Sequence, residues 1–276
     1  MRPSLFLIPL LLSSAGCSQA EDYEDRVGVA ANGETQARSD AETRAGNSEP
    51  GSITEETDLI SFAYTWPAEA SAIEPLAAEL GDRAEGARLE LEKYAREDSA
   101  AAADAEFEFR PHHMEVEWQR VADIPDWLSL SAMISTYTGG AHPNYGFDSL
   151  VWDRQAGMAR KPLDLFRSAG ALGNAVGGAF CAKLNAERSE RRGETVDATS
   201  DDTFDKCPGM DELTVLLGSS NGRTFDRIGL MAAPYVAGPY AEGSYEFTLP
   251  VTTAVLDAVK PEYRDAFALG PRNLAR

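Results

Sequence analysis

The chain has 276 residues, of which 43% are hydrophobic and 25% are charged, which is enough for a substantial core. Its 25 Lys and Arg residues stand against 45 Asp and Glu, and the net charge of -20 excludes an electrostatic nucleic-acid binder. The long apolar run lies at the N-terminus, so we expect no later segment to span a membrane.

Residues 1–16 have the features of a bacterial export signal. Arg2 precedes the apolar run Leu5–Leu12, which is too short to span a bilayer, and small residues follow. Cys17 comes directly after Ala-Gly, as at the cleavage site of bacterial lipoproteins, and several acyl chains on it would anchor the chain stably. An ordinary signal peptide is the alternative. Ser18 resembles the sorting residue of outer-membrane lipoproteins, so we expect an envelope protein anchored there and facing the periplasm.

Residues 17–57 are predicted to form an acidic, disordered tether. From Ser18 to Thr57 there are ten acidic and three basic residues among small polar ones, too few apolar side chains to offset the entropy cost of ordering. The globular part is expected to start near Asp58.

Two cysteines remain once Cys17 is set aside. In an oxidising envelope, Cys181 and Cys207 are expected to form a structural disulfide. A reactive thiol pair is the alternative, although the Cys-x-x-Cys spacing is missing.

The first half of the folded part is predicted to contain strands around one long helix. Alternation predicts a strand over Ile60–Trp66, and apolar residues at helical spacing from Leu76 to Tyr94 predict the helix. Further strands are predicted around Phe107 and Phe109 and over three longer segments. These segments are Met114–Trp118, Leu128–Thr136 and Tyr145–Trp152.

The second half of the folded part is also predicted to contain both helices and strands. Leu172–Leu184 predicts a helix that Gly193 can end, Leu213–Met231 predicts a hairpin, and Tyr245–Val251 predicts a last strand before a short helix. The order of elements indicates an α+β fold with mostly antiparallel sheet, one long helix in the N-terminal half and a second helix.

Three motifs were weighed as catalytic or metal sites. Gly218–Gly222 matches G-x-S-x-G, but the alternation after it predicts a strand, so we interpret it as a hairpin turn. His113, Glu115 and Glu117 would share one strand face, where a solvated polar surface is the simpler interpretation than a metal site. The acidic loop Asp197–Asp205 lacks the spacing of a Ca²⁺-binding loop. We therefore predict no catalytic residue, no metal and no cofactor.

The turn Tyr137–Asn144 is the most unusual local feature. Two glycines permit positive φ, Pro143 fixes the exit, and His142 would be held at the tip of a hairpin near Tyr137. A ligand contact or a purely structural histidine would both fit this arrangement.

This turn belongs to a wider resemblance that covers roughly Asp58 to Phe267. The segments that carry it are Tyr137–Asn144, Leu150–Asp153, Pro162–Phe166, Phe225–Met231 and Phe247–Val251. The chain resembles a bacterial envelope domain family that occurs in the extracellular part of the anti-sigma factor RsiV and ahead of the catalytic domain of the peptidoglycan deacetylase PdaC. The resemblance implies two sub-regions packed as one unit, a PdaC-like one over 58–157 and an RsiV-like one over 158–276.

The resemblance also implies a function. In RsiV this region binds lysozyme, so a non-catalytic domain that recognises a lysozyme-like protein or a peptidoglycan fragment is the first hypothesis. A peptidoglycan-acting enzyme and a structural protein that bridges envelope components are the alternatives. Six exposed turn residues are the candidate ligand contacts, since tyrosines give large amphipathic contact area. These are Tyr137, Gly140, His142, Asn144, Tyr235 and Tyr240.

Overall fold

The structure, a computed structural model, describes residues 43, 44, 46, 48–197 and 200–271. The predicted export signal, Cys17 and most of the predicted tether lie outside the described residues. The described residues contain nine strands and four α-helices, so the predicted α+β class is confirmed. Among the described residues, no helix is long and apolar enough to cross a membrane.

A six-stranded sheet, ordered β1 to β6 along the chain, forms the first half of the fold. Its strands are β1 (Gly51–Glu56), β2 (Ile60–Trp66), β3 (His112–Ile124), β4 (Trp127–Tyr137), β5 (Asn144–Asp153) and β6 (Met158–Arg160). Neighbours are antiparallel except β2 and β3, which are parallel. That parallel pair follows from the crossover between them, which carries the short helix α1 (Ala68–Ser71) and the 31-residue helix α2 (Glu74–Asp104).

Two sequence predictions need correction here. Strand β1 pairs with β2 in the segment given to the tether, so the boundary at Asp58 was placed too late. Residues of β1 alternate between partly buried and exposed, but Ile53 is its one large apolar side chain. The sequence therefore shows no hydrophobic alternation there. No strand forms around Phe107 and Phe109, because this segment links α2 to β3 and Phe107 is 76% exposed.

The second half contains helix α3 (Ala169–Arg192), a three-stranded antiparallel sheet of β7 (Thr214–Gly218), β8 (Arg227–Ala232) and β9 (Tyr245–Pro250), and helix α4 (Thr253–Ala258). Helix α3 begins at Ser168, whose side chain accepts a hydrogen bond from the Ala171 amide, and ends at Gly193 with φ of 71°. A disulfide joins Cys181 on this helix to Cys207, with 5.8 Å between the Cα atoms.

The six-stranded sheet is covered on both faces at its centre. Helix α2 packs Leu76, Leu80 and Leu91 against one face. The other face meets the second half of the chain, where Trp127 and Val151 join the core around α3 and β7. Strand β4 is therefore buried on both sides over its first six residues, including Ser129 and Ser131.

Candidate functional site

The hairpin tip between β4 and β5 is a rigid turn built by its own residues. Gly139 and Gly140 have φ of 93° and 94°, a conformation that favours glycine. The Tyr137 hydroxyl donates to the Gly140 carbonyl at 3.1 Å, and Nδ1 of His142 lies 2.8 Å from the Pro143 carbonyl oxygen. The tip therefore presents the His142 ring at a fixed position.

Three of the predicted ligand contacts come together on one side of this tip. The rings of His142 and Tyr240 stack with centroids 3.9 Å apart and planes inclined by 20°. Tyr235 lies 5.9 Å from Tyr240, and Tyr145 of β5 completes the group at 6.3 Å from the same ring. We call these four residues the aromatic patch. Tyr235 is 52% exposed and His142 is exposed, so the patch faces solvent.

A hydrogen bond ties Tyr145 of the patch to the second half of the chain, and Tyr235 of the patch has a strained backbone. The Ser244 amide donates to the Tyr145 hydroxyl at 3.0 Å. Tyr235 has φ of 72°, which is unusual for a residue other than glycine, and its amide donates to the Gly238 carbonyl at 2.9 Å. Residues with a strained backbone are concentrated at functional sites. They persist only where the surrounding structure holds them in place.

An arginine and carboxylate network lies directly beneath the patch. Arg191 donates to the carbonyls of Glu242 and Ser244, and its guanidinium carbon lies 4.0 Å from the centre of the Tyr245 ring. Arg192 bridges the carboxylates of Glu242 and Asp205 at 2.8 Å and 2.7 Å. These contacts fix the 3-10 helix Tyr240–Glu242 that carries one ring of the stack.

The network shifts the pKa values of Glu242 and Tyr245 in opposite directions. Burial raises the pKa of Glu242, but hydrogen bonds from Arg192 and Tyr245 and the charge of Arg192 outweigh it, so this pKa lies below its ordinary value of 4.5. Burial, followed by the hydrogen bond to Glu242, raises the pKa of Tyr245 from 10.0 to about 12. At neutral pH the carboxylate is thus ionised and the phenol protonated.

A fully buried arginine connects this network to the disulfide. Arg188 donates to the carbonyls of Ala237, Asp205 and Lys206 at 2.8, 3.2 and 3.0 Å. Cys207 follows Lys206 and is bonded to Cys181, which lies on α3 as Arg188 does. The disulfide therefore helps to keep the carbonyls of Asp205 and Lys206 in place.

A cleft of about 440 Å³ lies on the other side of the hairpin tip. Two of the three remaining predicted contacts, Tyr137 and Gly140, line it together with Asp98, Phe109 and His112, and we call it the His112 cleft. His112 is 2% exposed, and its Nε2 lies 3.1 Å from an oxygen of Asp98. Asn144 lies exposed at the start of β5, opposite Thr136.

The motifs weighed for catalysis are dispersed. Ser220 lies in the turn between β7 and β8 and donates to Asp226, and a strand rather than a helix follows it. His113 lies 3.3 Å from the Ser61 hydroxyl, on the opposite face of β3 from His112. Within the described ranges, no group of His, Cys, Asp and Glu side chains is arranged to hold a metal ion.

Comparisons with known proteins identify one matching family model and two similar solved structures. Residues 53–145 match the family model described as Deacetylase PdaC. The resemblance predicted for this part of the chain is confirmed. A member of the DUF3298 family from Bacteroides fragilis has a TM-score of 0.48 at 18% identity, over 75% of this chain and 91% of its own. A DUF3298 family protein from Pseudomonas aeruginosa has a TM-score of 0.47 at 15% identity, over 81% and 98%. No curated protein matches the chain.

The PdaC-matching segment ends at the second residue of the patch, since it includes His142 and Tyr145 but neither Tyr235 nor Tyr240. Sequence analysis missed Tyr145, whose position on a regular strand hides its role, and the pairing of Asp98 with His112. That pairing joins the last turns of α2 to the first residue of β3. No local spacing predicts either contact.

Proposed function

We propose that this chain is a membrane-anchored lipoprotein of the bacterial envelope whose folded part binds a lysozyme-like protein without catalysing a reaction. The observation that carries the proposal is the stack of the exposed His142 ring on the half-buried Tyr240 ring, which joins the two halves of the chain. Solvent-exposed tyrosines and histidines held rigidly are well suited to protein recognition, because little side-chain entropy is lost on binding.

The charge of the chain supports a basic partner. With a formal charge of -20, the protein would attract a cationic protein such as lysozyme and speed their encounter. The aromatic patch would then supply the short-range contacts that charge alone does not give. The family resemblance points the same way, since the related region of RsiV binds lysozyme.

Calorimetric titration with lysozyme tests the proposal. The chain from Ser18 to its end, which keeps every described residue, is titrated at low salt and again at about 0.5 M salt, where exposed charges are screened. We expect saturable binding at unit stoichiometry that persists in salt. Tyr240→Ala should weaken it at least tenfold, because a central aromatic contact typically contributes about 2 kcal/mol or more.

Tyr94→Ala is the matched control, since Tyr94 is a 48% exposed tyrosine on α2, away from the patch. Binding that disappears in salt would overturn the proposal and leave only charge attraction. Saturable binding of muropeptides in place of lysozyme would identify a cell-wall binder instead. Turnover of peptidoglycan by the purified chain would show that the domain is an enzyme.

A further inference from the structure

His112 has an unusual environment for a buried histidine. One ring nitrogen, Nε2, is paired with Asp98 at 3.1 Å, while no described residue offers a hydrogen-bond partner to the other, Nδ1. A buried polar atom without a partner costs about 1–3 kcal/mol. Buried polar atoms in native proteins nearly always have a hydrogen-bond partner, so Nδ1 calls for one that the described residues do not supply.

The contact between Nε2 and Asp98 bears on whether Nδ1 donates or accepts a hydrogen bond. In the neutral tautomer whose Nε2–H donates to Asp98, the lone pair lies on Nδ1, and this atom then accepts a hydrogen bond. The partner that completes the site must therefore carry an O–H or N–H group. The backbone amide of His112 is already used, since it donates to the Leu59 carbonyl at 2.9 Å.

The rest of the His112 cleft selects among such ligands. The Asp98 carboxylate is 60% exposed, so it can accept further hydrogen bonds, and the exposed side chains of Glu108 and Arg110 add acceptors and donors. The rings of Phe109 and Tyr137 offer apolar surface beside these groups. Carboxylates, a guanidinium and aromatic rings around one cleft match a ligand with many hydroxyls and an apolar ring face.

We propose that the His112 cleft binds a saccharide, one hydroxyl of which donates to Nδ1 of His112. A cleft of about 440 Å³ falls within the range that holds small ligands. Because Nδ1 is itself buried, the sugar can reach it only when a lining side chain such as Phe109, whose ring centre lies 5.7 Å from that of the imidazole, moves aside. Phe109 belongs to the segment between α2 and β3, which lies outside helices and strands. This site uses none of the aromatic patch and does not depend on lysozyme binding.

Nitrogen NMR of the imidazoles tests the site directly, because the chain contains only three histidines. The chain from Ser18 to its end, labelled with ¹⁵N-histidine, is titrated with the trimer of N-acetylglucosamine. The Nδ1 resonance of His112 should move upfield as its lone pair accepts a hydrogen bond, with saturation at millimolar sugar. The resonances of His113, on the opposite face of the same strand, should stay in place.

Asp98→Asn should weaken sugar binding at least tenfold, because an amide can donate to Nε2 as well as accept from it and so no longer selects the tautomer with the proton on Nε2. Glu90→Gln, at an exposed acid on the same helix, is the matched control and should bind normally. An unchanged His112 spectrum up to about 10 mM sugar, or shifts confined to His113 or His142, would overturn the proposal. Equal affinity of the Asp98→Asn and Glu90→Gln variants would overturn it too.

Discussion

The His142 ring stacks on the Tyr240 ring with centroids 3.9 Å apart, and this contact joins the hairpin tip of the six-stranded sheet to a 3-10 helix of the second half. The geometry of the aromatic patch therefore depends on the relative position of the two halves. A change that loosens one half should also disturb the patch, so separating binding from stability requires a pair of variants that lose the same contact but differ in stability.

Tyr235 offers such a separation. Its positive φ of 72° costs about 1–2 kcal/mol for a side chain with a Cβ and little for glycine. Tyr235→Gly and Tyr235→Ala should both weaken lysozyme binding, because both remove the ring. The glycine variant should be the more stable of the two by about 1 kcal/mol in urea unfolding. Equal stability of the two variants would contradict a strained backbone at this residue.

The raised pKa of Tyr245 predicts that the free energy of unfolding falls at alkaline pH. Its pKa rises from 10.0 in the unfolded chain to about 12 in the folded protein, so the phenol holds its proton more tightly when folded. The resulting stabilisation is complete below pH 10 and disappears as the pH rises towards 12. Tyr245→Phe should lose about 1–3 kcal/mol at pH 7 with its hydrogen bond to Glu242.

The same variant should also show a shallower decline of the free energy of unfolding above pH 10. Tyr94→Phe, at an exposed tyrosine, serves as the control and should follow the unmodified chain. Parallel pH profiles for Tyr245→Phe and the unmodified chain would show that another group carries the alkaline effect.

The disulfide predicts a sizeable loss of stability on removal. Cys181 and Cys207 are 26 residues apart, and closing a loop of that length contributes roughly 3.5 kcal/mol in the chain-entropy model. Replacing both with Ala should lower the free energy of unfolding by about 2–4 kcal/mol. It should also weaken lysozyme binding, because the carbonyls that hold Arg188 become free to move. Unimpaired binding would show that the patch is positioned without this bond.

Gly51 tests whether β1 belongs to the folded part. A Cβ at this residue would lie 1.9 Å from the Trp66 ring, so Gly51→Ala forces the ring or the strand to move. Overpacking of this kind costs about 1–3 kcal/mol in thermal or urea unfolding. Gly146→Ala in β5 is the control, since no described atom lies within 4 Å of a Cβ placed there. Equal effects of the two substitutions would argue against the β1–β2 pairing.

Cys17 tests the predicted anchor, which lies outside the described residues. Cys17→Ser should move the protein from the membrane fraction of the producing bacterium to the soluble envelope fraction, because no thiol remains for acylation. Immunoblots of the two fractions measure this. A variant that stays fully membrane-bound would show that Cys17 is not the anchor.

Local patterns predicted much of this fold. The 3.6-residue spacing in α2 and α3, the alternation in β2 and β4, and the end of α3 at Gly193 all follow from residues close together in sequence. The disulfide followed from the number of cysteines and the expected compartment. The turn at Tyr137–Asn144 was predicted correctly because glycine and proline restrict the backbone wherever they occur.

Other features were decided by the tertiary structure. The parallel pairing of β2 with β3 depends on how α2 crosses the sheet. The burial of Ser129 and Ser131 depends on the second half covering a face that alternation alone assigns to solvent. The site divides in the same way. The sequence by itself determined that a turn would place His142 and Asn144 in exposed positions. The fold alone brought Tyr240 onto His142 and Asp98 onto His112, because contacts between distant segments depend on packing that no local spacing encodes.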